Sequence, residues 1–167
     1  MNFADPFGLT PYLNCRPVKA DNEFGHCAIR VYDAKRKIDI TFELIPKNAS
    51  WTAPLGRKSI VWSLPNDAHV KAYDPKGWVA LDKPEGMSDA DFDTAILNSA
   101  LREQSKVEGV PYFFSGSTNS NRFIFDVVTG AGGTVPGLPA TRFPKGAPGL
   151  CGGTGLGEGS TGTACKP

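Results

Sequence analysis

Two histidines are present, His26 and His69, and only the first is placed for acid–base chemistry. His26 opens the strand-like run "HCAIRVYD", while Ser120 lies in "STNSNRFIFDVVTGAGG" at the mouth of a helix-like run. A histidine can take a hydroxyl proton. The N-terminus of a helix offers backbone N–H groups and the positive end of its dipole to the anion that results. Such a nucleophile needs its base within hydrogen-bond reach and a third group to orient the base. Glu43 is the candidate for that third role. Cys15 is the alternative nucleophile: it lies upstream of His26 in irregular chain and could reach it, with a disulfide or a core position as its other readings. Cys27 adjoins His26, so on a strand its side chain points to the opposite face, and it reads as core. His69 stands beside a turn and reads as exposed.

The elements that must position these residues follow from apolar period. Pro6, Gly8, Pro11 and Pro17 punctuate residues 1–23, which read as irregular. From residue 24 the alternation of Cys27, Ile29 and Val31, answered by Ile38, Ile40, Phe42 and Leu44, predicts a hairpin. Matching the two apolar faces sets Val31 opposite Ile38, Ile29 opposite Ile40 and Cys27 opposite Phe42. Arg30 then faces Asp39, and His26 faces Glu43. The runs "KSIVWSL", "HVKAY" and "GWVAL" read as further short strands, giving an antiparallel sheet of about five strands.

Ser88 with Asp91 forms a capping box, and Met87 with Phe92 a hydrophobic staple. They open a helix whose stripe is Phe92, Ala95, Ile96, Ser99 and Ala100, closed by Gly109. A second, shorter helix has Asn119 or Asn121 as cap, Ser120 at its N-terminus, the stripe Phe123, Ile124, Val127 and Val128, and Gly130 at its end. The fold class is α+β. Residues 24–133 form the catalytic domain, and 134–167 are a Gly/Pro-rich tail without regular structure.

Net charge is +1 over 167 residues. That balance argues against nucleic acid as a partner, and the chain shows neither a second histidine placed to work with His26 nor an acidic metal cluster, as a nuclease would need. "AKRK" at residues 34–37 reads as a solvated turn. The four cysteines lack CxxC spacing, so neither metal nor cofactor is expected. They fall into two sequence-local pairs, Cys15 with Cys27 and Cys151 with Cys165. Both pairs suit disulfides in an oxidising compartment, with free thiols as the alternative. No run is apolar and long enough to span a membrane, and "MNFADPFGLTPY" lacks the charged and apolar regions of a secretory signal.

Two stretches resemble known families. "DPFGL", Asp5 to Leu9, resembles the motif that closes the core of Rhs repeat proteins, after which a variable C-terminal toxin follows. The resemblance implies an antibacterial effector, delivered by the Rhs core shell into a target bacterial cell, the periplasm above the cytoplasm. It also implies a cognate immunity protein, and a monomer is expected. "FGHCAIRVYD" followed by "YFFSGSTNSNRFIFDVVTGAGG" is similar to circularly permuted papain-like (NlpC-type) hydrolases, in which a strand histidine precedes a nucleophile at a helix start. Many members have Asn-Cys-Asn where this chain has Asn119-Ser120-Asn121. The resemblance implies hydrolysis or transfer at an amide or ester carbonyl of the envelope, in peptidoglycan peptides or phospholipid acyl chains. Ser120 is then the nucleophile, His26 the base and Glu43 its orienter. The backbone amides around Asn121 and Arg122, with the Asn119 side chain, form the oxyanion hole. A non-catalytic toxin that blocks a host protein is the alternative class.

Overall fold

The computed structural model describes residues 11–18, 21–33, 35–46, 59–64, 73–112, 118–137 and 150. Strands β1 (Tyr12–Val18), β2 (Asp21–Asp33), β3 (Ile38–Pro46), β4 (Ser59–Leu64) and β5 (Val79–Ala80) form one sheet. Its order is β4-β3-β2-β1-β5, with every neighbouring pair antiparallel. Helices α1 (Asp89–Val107) and α2 (Ser120–Gly130) complete the α+β fold. Of the strand expected at residues 69–73, residues 69–72 lie outside the described residues, and Tyr73 stands in a bend. β1 corrects the expectation that residues 1–23 are irregular. Its Pro17 lies beside a register break at Pro17/Val18, a position where strand prolines are tolerated.

The β2–β3 register differs by two residues from the expected one: Ile29 pairs with Phe42, Val31 with Ile40 and Asp33 with Ile38. The turn decides this. Asp33 Oδ1 accepts the N–H groups of Lys35 at 2.8 Å and Arg36 at 3.0 Å, which closes the hairpin tightly and lengthens β2. Lys37 takes the left-handed conformation, φ 57°. A slip of two keeps every side chain on its face. Arg30 therefore sits opposite Thr41 and reaches Asp39 diagonally, through two hydrogen bonds of 2.8 and 3.0 Å. Arg36, from the basic run, bonds Asp93 Oδ2 at 2.6 Å and Thr94 Oγ1 at 3.0 Å, and so ties the hairpin tip to α1.

α1 begins as its capping box dictates: Ser88 Oγ accepts the Asp91 N–H at 3.1 Å and donates to Asp91 Oδ2 at 2.6 Å. Phe92, Ile96 and Ala100 of α1 and Phe123, Ile124, Val127 and Val128 of α2 are buried. They form one core with Leu13, Cys15, Cys27, Ile29, Val31, Phe42 and Leu44 of the sheet. Packing does not stop at residue 133. Thr134 bridges to Asp82, and Val135 and Leu150 are fully buried. A Cβ on Gly133 would lie 2.6 Å from the Phe92 ring, so only glycine fits that crossing. None of the described helices is long and apolar enough to cross a membrane.

Cys15 and Cys27, directly opposite in the β1–β2 ladder, form a disulfide. Cys151 and Cys165 lie outside the described residues. With the bridged cysteines 12 apart in sequence, reduction is expected to destabilise the fold by about 3 kcal/mol through restored chain entropy. Melting curves with and without reductant measure this. A chain lacking Cys15 and Cys27 should not respond to reductant through this bridge.

Candidate active site

The face of the sheet opposite the core is lined with polar groups. Arg16 on β1 pairs across the ladder with His26 on β2, and Glu43 on β3 shares their face. Buried on that side are Asn14, His26, Arg30, Thr41 and Glu43. β2 and β3 pair only as far as Ile29 and Phe42. Beyond that point the N-terminus of α2 enters. Asn121 Oδ1 accepts the Cys27 N–H at 3.0 Å, and Asn121 Nδ2 donates to the Gly25 carbonyl at 2.8 Å. One carboxamide thus replaces the missing strand neighbour. A helix packed on the apolar face thereby brings its first residue to a histidine on the polar face.

Ser120 Oγ lies 2.9 Å from His26 Nδ1, and His26 Nε2 lies 2.9 Å from Glu43 Oε2. Ser120 and Glu43 are 2% exposed and His26 8%, so bulk water does not compete with these bonds. Burial pushes the Glu43 carboxyl up. The hydrogen bond and charge of His26, the Tyr73 hydroxyl and the Arg16 guanidinium outweigh it and hold the group at about 2. Glu43 is therefore a carboxylate and accepts only. The imidazole must carry its proton on Nε2, which leaves Nδ1 as the acceptor of the Ser120 hydroxyl proton. The arrangement is nucleophile, base and orienter, with Nδ1 as the basic nitrogen.

Two expected assignments change. Cys15 is no alternative nucleophile: its sulfur is bonded to Cys27, on the face opposite His26. Asn119 is the cap, its Oδ1 accepting the Arg122 N–H at 2.8 Å, so that amide is not available to an oxyanion. The Arg122 side chain turns to Asp126, 2.9 Å away. The Asn121 side chain holds β2.

Sequence reasoning missed Arg16, Tyr73 and Tyr112. Tyr73 donates to Glu43 Oε2 at 2.7 Å, and Arg16 lies 4.0 Å from the same oxygen and over the Tyr73 ring. The alternation of Leu13 and Cys15 with Asn14 and Arg16 carried a strand signal that the flanking prolines obscured. Tyr73 and Tyr112 had no local signal. Burial raises both phenols, so they stay neutral; Glu43 adds to the rise of Tyr73. The Tyr112 hydroxyl hydrogen-bonds with the Ser120 hydroxyl and backbone. Among the described residues no cluster of His, Cys, Asp and Glu could hold a metal ion. Comparison with known proteins found no matching family model, no matching curated protein and no matching solved structure.

Proposed function

We propose that this chain is the C-terminal toxin of an Rhs effector and that it acts as a serine hydrolase of the permuted papain-like kind, with Ser120, His26 and Glu43 as its triad. The observation that carries the chemistry is the unbroken hydrogen-bond chain from Ser120 Oγ through His26 to Glu43. "DPFGL" carries the biological setting.

In the proposed reaction Ser120 Oγ attacks a substrate carbonyl carbon while its proton passes to His26 Nδ1. The C=O π pair moves to oxygen. The first-turn amide of α2 at Asn121 has no intrahelical acceptor and is a donor for that oxyanion. Collapse expels the amine or alcohol leaving group, which takes the proton from Nδ1 and leaves an acyl-serine. Water, deprotonated by the same nitrogen, then releases the acid and restores the serine. Throughout, Glu43 keeps the ring in one tautomer and stabilises the imidazolium.

The targets that fit are amides of peptidoglycan peptides and acyl esters of phospholipids. The Cys15–Cys27 bridge suits an oxidising periplasm. Expressing the chain in a susceptible bacterium with and without an export signal tests the reading. Killing is expected from the exported form, with shortened muropeptides or released fatty acids. Killing only from the cytoplasm, with envelope chemistry unchanged, would overturn it.

A further inference from the structure

Glu43 Oε2 receives a second hydrogen bond that the reaction does not call for. The Tyr73 hydroxyl donates to it at 2.7 Å, on the same oxygen that accepts His26 Nε2 at 2.9 Å. Tyr73 is 1% exposed. Its ring stands against Trp78, with centroids 5.6 Å apart, and under the Arg16 guanidinium. The backbone that carries it is tied down just after Tyr73. Asn14 Nδ2, from β1, donates to the Asp74 carbonyl at 2.8 Å. Asp74 Oδ1 accepts the Lys76 N–H, capping the short 3-10 turn Pro75–Gly77. β5 then returns to pair with β1 through Tyr12–Ala80 and Leu13–Val79.

We infer that Tyr73 is a positioning residue for the triad, fixing through its hydroxyl the one Glu43 oxygen that orients His26. The inference rests on the proposed hydrolase reading. A glutamate has one more rotatable bond than an aspartate, and so has more side-chain freedom to be restricted. A second donor on the same oxygen, borne by a rigid aromatic ring, removes that freedom. A phenylalanine would fill the same volume, so packing alone gives no reason for the hydroxyl. The titratable and charged groups facing Glu43 are His26 from β2, Arg16 from β1 and Tyr73, with Tyr112 farther off. Of these, Tyr73 alone is a neutral donor on the oxygen shared with His26. Its hydroxyl is also one of the groups that hold the Glu43 carboxyl low.

The test compares Tyr73→Phe with the unaltered chain by the rate at which a fluorophosphonate probe labels Ser120 across pH. In that reaction Ser120 Oγ forms a bond to phosphorus, fluoride leaves, and the serine proton passes to His26, so no natural substrate is needed. The Glu43 carboxyl is followed in parallel by carbon NMR. Losing a hydrogen bond to a charged group should slow labelling about tenfold at neutral pH. The Glu43 titration should move upward, toward the ordinary carboxylate range, with the fold intact. Asn14→Ala, which frees the turn but keeps the phenol, should move labelling in the same direction by less. It serves as the second reading if Tyr73→Phe folds poorly. Wild-type labelling in both variants, or slower labelling that follows lost stability while the Glu43 titration stays fixed, would overturn the inference. No labelling of the unaltered chain would instead overturn the hydrolase reading. The NMR titration would still report whether Tyr73 governs Glu43.

Discussion

Ser120→Ala is expected to abolish toxicity and to leave the fold standing. Activity lost with a triad nucleophile is about 10⁶-fold, which is loss of killing in a growth assay. The helix should survive because the cap is Asn119 and not Ser120. The stability cost is that of leaving His26 Nδ1 without its buried donor, about 1–3 kcal/mol. His26→Ala should be equally inactive. The double variant should be no worse than either single one, because nucleophile and base act as a unit. Growth of a susceptible strain expressing each variant, beside a melting curve for each, checks the set. Killing retained in folded Ser120→Ala protein would remove the hydrolase reading and leave a toxin that works by binding. Cys15→Ala should kill wherever its fold survives, since Cys15 is spent in a disulfide. Any loss it shows should match that of Cys27→Ala.

Glu43→Gln is expected to cost nearly as much activity while changing only one atom. The carboxylate dictates the tautomer because it cannot donate. A glutamine can offer an N–H to Nε2 and drive the ring proton to Nδ1, where it blocks the Ser120 hydroxyl. It also removes the negative charge that stabilises the imidazolium. Losing tautomer control in a triad costs about 10⁴-fold, which probe labelling of Ser120 would report directly. The same variant has a signature in stability against pH. Glu43 is held at about 2, against 4.5 for a free glutamate. Its folded value is depressed, so its stabilising contribution is complete above pH 4.5 and is lost as pH falls toward about 2. Glu43→Gln lacks that slope. Unaltered and variant chains should differ most at neutral pH and converge on acidification through this window. Denaturant midpoints at several pH values measure it, and parallel curves would contradict the assigned charge state.

Local sequence determined the parts of this site that depend on neighbours a few residues away. Asn119, the small polar residues after it and the period from Phe123 to Val128 specify a capped helix with Ser120 in its first turn, because cap and stripe are satisfied within a dozen residues. Ser88 and Asp91 did the same for α1. Alternation put His26 and Glu43 on one sheet face. That survived the two-residue slip because the side-chain period of a strand is two. Other features rest on contacts between distant segments. The slip was decided by the Asp33 side chain in the turn, which hydrophobic matching does not see. β1 became a strand because β2 and β5 offered it partners on both edges, although its prolines argue for loop. Asn121 took a strand's hydrogen bonds only because β2 and β3 part beyond Ile29, and that parting lets Ser120 reach His26 across 94 residues of chain. Tyr73 and Arg16 joined the triad for the same reason. Residues with no periodic or motif signal of their own came to lie against a buried carboxylate. Removing that carboxylate from water made their hydrogen bonds and charge necessary, and the burial is a product of the assembled tertiary structure.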